Sequence, residues 1–446
     1  MTNWRRTSGK GAPLVCHFGY YTNTLQALKN LKSLSFDIII VGAGAAGVAA
    51  AGRAAELGAS VLLLEKMEKP LRKLRISGKG RGNITNSKPI EEFLQKIHPD
   101  GSFLRPAFSL FFNTQLVKFM SRIGVRTVEE RGGRIFPASQ KAWDVAEALQ
   151  KWARRMGVEI LCHAQVTGIT RGENGLFSVT FDQKGAKRTA RSAKLLLATG
   201  GLAYPATGST GDGYSFAKKL GHSLTPVRPS LVPIEVAGFS KFGFNDLQMR
   251  NVKVAAAVSG KVIDEAFGEL MLTKFGVSGP AILRMSRSIV DALQAQHEVQ
   301  LLLDWKPALS KLQLQNRLKR EQQSSSIPDV GSLLRKLMPA PLIPFFAEQA
   351  QLQARAKVCE SSEEKIVDTL KSCILQVSGY RPFSEAIVTA GGVSLGEVDA
   401  NTMQSKLVPG LYFAGELLDV DADTGGYNLQ MAFSTGWLAG GAGAGG

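Results

Sequence analysis

Gly42-Ala43-Gly44-Ala45-Ala46-Gly47, followed 18 residues later by Glu65, has the residue types and spacing to hold a dinucleotide. Gly42 permits a tight turn, Gly44 lets a pyrophosphate approach the backbone, and Gly47 allows close packing of helix on strand. The helix N-terminus adds amides and a partial positive charge facing the phosphates. Glu65 would accept hydrogen bonds from ribose hydroxyls. Three further segments can complete such a site: the basic loop Lys73 to Asn86, the turn Thr199-Gly200-Gly201, and the block Gly410 to Gly436. Small residues in Ser77 to Asn86 let backbone lie against a flat ring, while Lys73 and Arg81 can neutralise phosphate or ring oxygens. Gly425-Gly426-Tyr427-Asn428 opens a helix whose Leu429, Phe433 and Trp437 follow helical spacing. Its N-terminus would add a second partial positive charge, suited to negative charge on a bound group.

The elements that must position these groups are legible around them. Phe36 to Lys66 reads as a β-α-β unit: a β-branched run, the glycine turn, an Ala-rich helix with Arg53 and Glu56 on its polar face, a stop at Gly58, and the strand Val61 to Leu64. A helical stretch is expected around Phe108 to Ile123, then a helix Trp143 to Met156 and a strand Val158 to Leu161. Gln165 to Thr170 and Leu176 to Phe181 alternate as an antiparallel meander, and Lys194 to Ala198 is a short buried strand. After about Gly221 the chain becomes β-rich and punctuated by Pro226, Pro229 and Pro233, with strands at Val252 to Val258 and Val299 to Leu303. Residues 306–372 read as a small helical insertion, and Leu411 to Ala414 as a buried strand.

FAD and NAD(P) share the glycine fingerprint. An early fingerprint completed hundreds of residues later by a strand and a glycine turn is the plan of an FAD domain interrupted by a substrate domain. The expected fold class is therefore α/β: a Rossmann-like FAD/NAD(P)-binding domain interrupted by a β-rich insert carrying a helical subdomain. The expected boundaries are an N-terminal extension over 1–36, the FAD domain over 37–222 and 379–446, and the insert over 223–378.

Composition narrows the class. With 44% hydrophobic and 20% charged residues in 446, the chain is neither disordered nor fibrous. Cys16, Cys162, Cys359 and Cys373 form no CxxC pair, and the five histidines are scattered, so neither a disulfide framework nor a metal is expected. Asp419, Asp421 and Asp423 alternate like a calcium loop, but Thr424 and Gln430 stand where Gly and Glu are required. A loop near the flavin with some of its acids solvated is the better reading. The uncharged runs Ile38 to Gly52 and Thr424 to Gly446 hold four and eight glycines, and no membrane span is expected. Residues 1–36 carry five bases and no acid, like a transit peptide in charge, or a disordered extension or upstream start. A cytoplasmic location is expected, organellar if that segment is a transit peptide.

The long stretches KLRISGKGRGNITNS, LLATGGLAYPATGSTGDGYSFAKKLGH, GELMLTKFGVSGPAIL and AIVTAGGVSLGEVDANTMQSKLVPGLYFAGELLDVDADTGGYNLQMAFSTG carry a family resemblance. The chain resembles the HI0933-like flavoproteins, the group including BaiN-type bile-acid reductases and aminoacetone oxidase-like enzymes, from Asp37 to about Gly440. Two positions depart from that pattern: Gly82 stands where the family usually has Cys, and Lys274 where it usually has His. With the motifs above, the resemblance implies FAD contacts from Gly42, Ala43, Gly44, Ala45, Ala46, Gly47, Glu65, Lys66, Arg72, Lys73, Ser77, Gly78, Gly80, Arg81, Asn83, Thr85, Val166, Thr199, Gly200, Gly201, Gly415, Glu416, Gly425, Gly426, Tyr427 and Asn428. No nucleophile and base announce themselves; Tyr427, Lys274 and Tyr204 are the candidates for the substrate side of the flavin.

The expected activity is an FAD-dependent oxidoreduction of a small organic substrate by hydride transfer at flavin N5. Two versions stand: an amine or aminoketone oxidase using O2, and an NAD(P)H-dependent C=C reductase. Thr207 to Gly213 lacks the preceding long strand and downstream acid of a second nucleotide fingerprint, which leans toward the oxidase. A different class is a basic FAD-containing protein that binds nucleic acid or a membrane surface without turnover. Its motive is the formal charge of +17. Eleven of those charges fall in 1–36 (+5) and in Glu65 to Lys88 (+6, from eight bases and two acids). With no block of five Lys or Arg and no basic-aromatic RNA motif, neither a nucleic acid nor a membrane partner is expected.

Overall fold

The computed structural model describes residues 34–324 and 327–445. The first strand, β1 (Leu34–Val41), runs into the glycine turn and α1 (Ala45–Glu56), which returns to β2 (Val61–Leu64). Ile38, Ile39 and Ile40 are wholly buried, as a central parallel strand covered on both faces requires. β1 starts inside the segment set aside as an extension; the rest of that segment, and the targeting question, lie outside the described residues.

Helix α2 (Ala142–Arg155) leads to β3 (Glu159–Leu161), and the meander is β4 (Ala164–Arg171), β5 (Phe177–Gln183) and β6 (Ala186–Leu197). The strands order as β3-β2-β1-β6-β5-β4. β1, β2, β3 and β6 are mutually parallel, while β5 pairs antiparallel with β6 and with β4. The short buried strand expected at Lys194 to Ala198 is the end of a 12-residue strand. Its first part, Ala186 to Ser192, pairs with β5, where alternate residues are exposed and the hydrophobic run that marks a buried strand is missing.

The β-rich insert is a closed six-stranded barrel of β8 (Ile234–Val236), β9 (Leu247–Val258), β10 (Lys261–Leu272), β11 (Gly276–Ser278), β12 (Val299–Asp304) and β13 (Cys373–Tyr380), in the order β8-β11-β10-β9-β12-β13. Helix α3 (Pro280–Gln294) buries Ala281, Ile282, Met285 and Ile289 in the barrel core. Between β12 and β13 lie short helices, with α4 (Lys311–Ser324) and α5 (Glu360–Lys371) the longest. Strand β7 (Leu224–Ser230) pairs with β14 (Val388–Val393) where the chain leaves and re-enters the first domain.

The return completes the first core. β15 (Leu411–Phe413) adds to β6 in parallel, and α6 (Tyr427–Ala444) crosses α1. That crossing is close because α6 presents Gly436 and Gly440, where a Cβ would overlap the carbonyl oxygens of Ala46 and Ala50. Trp437 stacks on Phe111 at 4.2 Å and 6°. The helical stretch expected over Phe108 to Ile123 is two helices, Arg105–Leu110 and Asn113–Arg122. At the break, the Phe111 carbonyl accepts hydrogen bonds from Ser434 Oγ at 2.6 Å and Gln430 Nε2 at 3.2 Å. Partners more than 300 residues away thus satisfy a group that a continuous helix would have used.

Candidate functional site: a dinucleotide cradle and an adjoining cavity

Three distant segments converge on the N-terminus of α1. Gly42 has φ +100°, and a Cβ there would lie 2.5 Å from the Ala198 oxygen, so the first glycine turn packs directly on the turn leaving β6. A Cβ on Gly47 would overlap the Gly42 carbonyl. Gly44 is different: its backbone is extended (φ −75°, ψ −170°), and a Cβ would meet nothing within 4 Å. The third segment arrives at Gly415, whose Cβ position is 2.9 Å from the Ala46 Cβ and whose amide donates to Thr435 Oγ1 at 3.0 Å.

Glu65 closes the cradle. Its carboxylate accepts the Ala43 and Met67 amides, each at 2.9 Å. Burial pushes its pKa up, opposed by the amides of Met67 and Ala43 and by Lys66 and Arg72. Gly201 lies beside Glu416, which takes Lys73 Nζ at 2.9 Å and the Thr389 amide at 2.9 Å. Thr389 Oγ1 in turn accepts the Leu202 and Ala203 amides.

The second assembly joins the basic loop to α6. A Cβ on Gly426 would overlap the Thr85 carbonyl, Thr85 Oγ1 donates to Gln430 Oε1 at 2.6 Å, and Asn86 Nδ2 donates to the Gly425 carbonyl at 3.1 Å. Asn428 turns back to the loop before it, donating to Ala422 O at 2.7 Å and accepting its amide at 3.0 Å. Asn83 Oδ1 is buried without a hydrogen-bond partner among the described residues.

Several of the expected cofactor contacts carry protein partners. Arg81 pairs with Glu130, bonds Gln140 and stacks 4.3 Å over Phe136. Lys66 pairs with Asp212 at 2.7 Å, and Arg72 pairs with Glu68 and donates to Ala206 O at 3.0 Å. Ser77 donates to the Leu74 carbonyl, and Val166 is buried in β4. Gly78 and Gly80 adopt positive φ in the loop. So does Gly82, where a Cβ would lie 2.9 Å from Ala142 Cα, so this chain packs backbone where the family usually carries a thiol.

The three candidates for the substrate side are not brought together. Tyr204 donates its amide to Phe383 O at 3.2 Å, and Lys274 is exposed on the turn between β10 and β11. Tyr427 lines a cavity of about 250 Å³ between the start of α6 and the barrel. Its ring packs edge-on against Phe93 at 4.6 Å, and burial, with Asp423 and Glu92, raises the pKa of its hydroxyl. The other walls are Lys96, Asp423 and Thr424 on one side and Phe267, Pro280 and Arg284 on the other. Phe267 is 66% exposed, a large apolar ring displayed at the cavity. Sequence reasoning missed it, although the pattern Glu265-Ala266-Phe267-Gly268-Glu269 places a phenylalanine on the polar side of an alternating strand.

Of the three alternating acids, Asp423 keeps partial exposure and the other two are buried. Asp421 is 1% exposed, receives Ser230 Oγ at 2.8 Å and lies 3.3 Å from Arg287 Nε of α3, and Asp419 is also buried. Burial pushes the Asp421 carboxyl up, against Arg287, the Ser230 hydroxyl, His98 and Arg228. β7 and α3 cover this loop, which alternation within the loop could not reveal.

The donor set fits FAD: open space at Gly44, the buried acceptor Glu65, and the unpartnered Asn83 oxygen in a glycine loop. The HI0933-like protein Rossmann domain matches residues 36–442. The chain is 33% identical over 408 residues to the 3-dehydro-bile acid delta(4,6)-reductase of Clostridium scindens, covering 90% of this chain and 97% of that protein. It is 30% identical over 410 residues to the ribosomal RNA dihydrouridine synthase of Escherichia coli, covering 90% and 96%. In fold it is similar to the 3-ketosteroid-delta4-(5alpha)-dehydrogenase of Rhodococcus jostii, at TM-score 0.50 and 15% identity, covering 92% of this chain and 97% of that one. With the cradle, the glycine loop and the returning helix in place over nearly the whole match, the chain belongs to the HI0933-like family of FAD-dependent oxidoreductases.

Proposed function

We propose that the protein reduces a carbon–carbon double bond conjugated to a carbonyl, with NAD(P)H resupplying the electrons. Bound FAD would supply the hydride acceptor and donor, at N5. The substrate gains a hydride at the β-carbon and a proton at the α-carbon, and the nicotinamide is oxidised. The cavity at the start of α6 carries this reading. It joins Phe267, a face for a planar unsaturated ring, to Tyr427, which lies where the resemblance puts the flavin.

In this reading Phe267 and Pro280 hold the ring, and Lys96 and Arg284 meet its oxygens or an attached anionic group. Lys96 is 3.4 Å from Asp423, which keeps the ammonium at the cavity wall. Tyr427 holds its proton at neutral pH, as a phenol ordinarily does, and protonates the α-carbon. The C. scindens and E. coli relatives support the reductase direction over the oxidase. The first is named for reducing a dienone-type bile acid, the second for making dihydrouridine, in which a uracil double bond is saturated.

Anaerobic mixing of the flavin-loaded protein with NADPH and with NADH tests the direction. The expected result is bleaching of the flavin bands by one of them. Bleaching by amines or aminoketones, with neither nicotinamide active, would overturn the reading in favour of an oxidase.

A further inference from the structure

Trp143, the second residue of α2, is 48% exposed. A single exposed tryptophan needs no explanation by itself. What sets this one apart is the bed it lies on. The Arg75 guanidinium sits 4.0 Å from the centroid of the indole ring, and Lys69 Nζ 5.3 Å from it. The Arg75 side chain is only 8% exposed: its Nη2 donates to Glu147 Oε1 at 3.0 Å, four residues after Trp143 on α2, and its Nε donates to the Pro70 carbonyl at 3.4 Å. Nη1 is buried with no hydrogen-bond partner among the described residues, so the π-face of the indole is what compensates the charge on that side. The ring is thus pinned from below by a cation and open to solvent above.

The charge around the ring has one sign. Lys69, Lys79 and Lys141 are exposed and form no ion pair among the described residues. The acids close by are engaged, Glu147 by Arg75 and Glu68 by Arg72. Asp144 has no ion pair among the described residues, but successive residues of a helix stand about 100° apart around its axis, which takes Asp144 off the Trp143 face.

The backbone ties this patch to the glycine loop. Ala142, next to Trp143, donates its amide to the Gly80 carbonyl at 2.9 Å, and a Cβ on Gly82 would lie 2.9 Å from Ala142 Cα. Lys79 and Lys141 immediately precede the two residues of that hydrogen bond. The small residues of this loop are the ones suited to lie along a flat ring, so Trp143 stands directly behind it.

An open aromatic face ringed by unpaired ammonium groups suits a base that carries phosphate. A simple inorganic anion would use the lysines and leave the ring bare. Thr207 to Gly213 lacks the strand and acid of a second nucleotide fingerprint, so a nicotinamide donor needs a holding point of another kind beside the flavin loop. We propose that Trp143, with Lys69, Lys79 and Lys141, holds the adenosine 2′-phosphate end of NADPH. The adenine stacks on the open face of the indole and the 2′-phosphate meets the lysines. NADH offers a hydroxyl there, which leaves the three charges without a partner. The site rests on the nicotinamide-dependent reading for its purpose, and its binding is measured without turnover.

The test uses flavin-loaded full-length protein and adenosine 2′,5′-bisphosphate, which carries the 2′-phosphate and no nicotinamide, with binding followed by equilibrium dialysis. Trp143→Ala removes the stacking face and Trp143→Tyr keeps a smaller one, while Lys69→Gln/Lys79→Gln/Lys141→Gln removes charge and leaves the ring. Affinity should fall about tenfold or more in Trp143→Ala, with Trp143→Tyr intermediate. The lysine variant should lose about tenfold, lose most of the salt dependence, and no longer prefer the bisphosphate to 5′-AMP. KM for NADPH should rise by the same factors. FAD content and the oxidised flavin spectrum should match wild type throughout, which reports an intact fold. Bisphosphate affinity equal to wild type in Trp143→Ala would overturn the proposal. So would capture of a single-stranded oligonucleotide through Trp143 with no binding of the bisphosphate. Bleaching of the flavin by NADPH with a wild-type KM in Trp143→Ala would overturn the site and leave the reductase reading standing. Bisphosphate bound through Trp143, with NADPH leaving the flavin oxidised, would retain the site and overturn the reductase reading.

Discussion

Gly44 offers a substitution that separates folding from cofactor binding. Its extended backbone suits any L-residue, and no atom lies within 4 Å of its Cβ position. Gly44→Val should therefore leave the apoprotein folded. A valine at this helix N-cap is less favourable than glycine by less than about 1 kcal/mol. The open space is where a pyrophosphate approaches the α1 N-terminus, and forcing extra methyl groups into a well-packed contact costs about 1–3 kcal/mol. At about 1.4 kcal/mol per tenfold, FAD affinity should fall roughly 5- to 140-fold. Titration of apoprotein with FAD, followed by quenching of flavin fluorescence, measures the affinity, and urea unfolding of the same apoprotein measures stability. Gly47→Ala is the contrast. Its Cβ would overlap the Gly42 carbonyl, so stability and affinity should fall together. Wild-type FAD affinity in Gly44→Val would refute the assignment of this turn to the pyrophosphate.

Other expectations follow from the packing and the buried charges. Arg287→Ala removes the cation 3.3 Å from the buried Asp421 and should destabilise the protein by about 3 kcal/mol in urea unfolding, with Asp421→Asn restoring part of the loss. His222, buried and bonded to Ser405 Oγ at 2.7 Å, has its pKa lowered by burial, so its unfolded form takes up a proton first as pH falls. Its contribution is complete above the unfolded value near 6.5 and is lost as pH falls from there through the folded value, so the melting temperature should drop between about pH 7 and 5, less so in His222→Gln. Tyr427→Phe should slow turnover by about 10²-fold while leaving reduction of the flavin by its electron donor unaltered, as rapid-mixing kinetics would show.

The β1-α1-β2 unit was legible because its determinants are local: one turn, one helix and one acid within thirty residues fix the geometry. What local pattern could not reveal is what arrives from elsewhere. The basic loop reads as a phosphate cradle, yet Arg81 is engaged by Glu130 and Gln140, about 50 and 60 residues downstream. Gly436 and Gly440 stand in the sequence only as part of a glycine-rich tail, but they are the flat face on which α6 meets α1. Gln430, a polar residue in an apolar helix, ties Thr85 to the Phe111 carbonyl and so joins three segments; polarity on a buried stripe was its available signal.

The most direct test of the central claim is a single turnover without oxygen. Flavin-loaded protein reduced by NAD(P)H is freed of excess nicotinamide and mixed with a steroid 4-en-3-one or with uridine-containing RNA. Flavin absorbance and substrate mass are then followed together. The oxidised flavin spectrum should return with one of these substrates, and an equal amount of product should gain two hydrogens across its double bond. A flavin that stays reduced with both, and reoxidises only when oxygen is admitted, would contradict it.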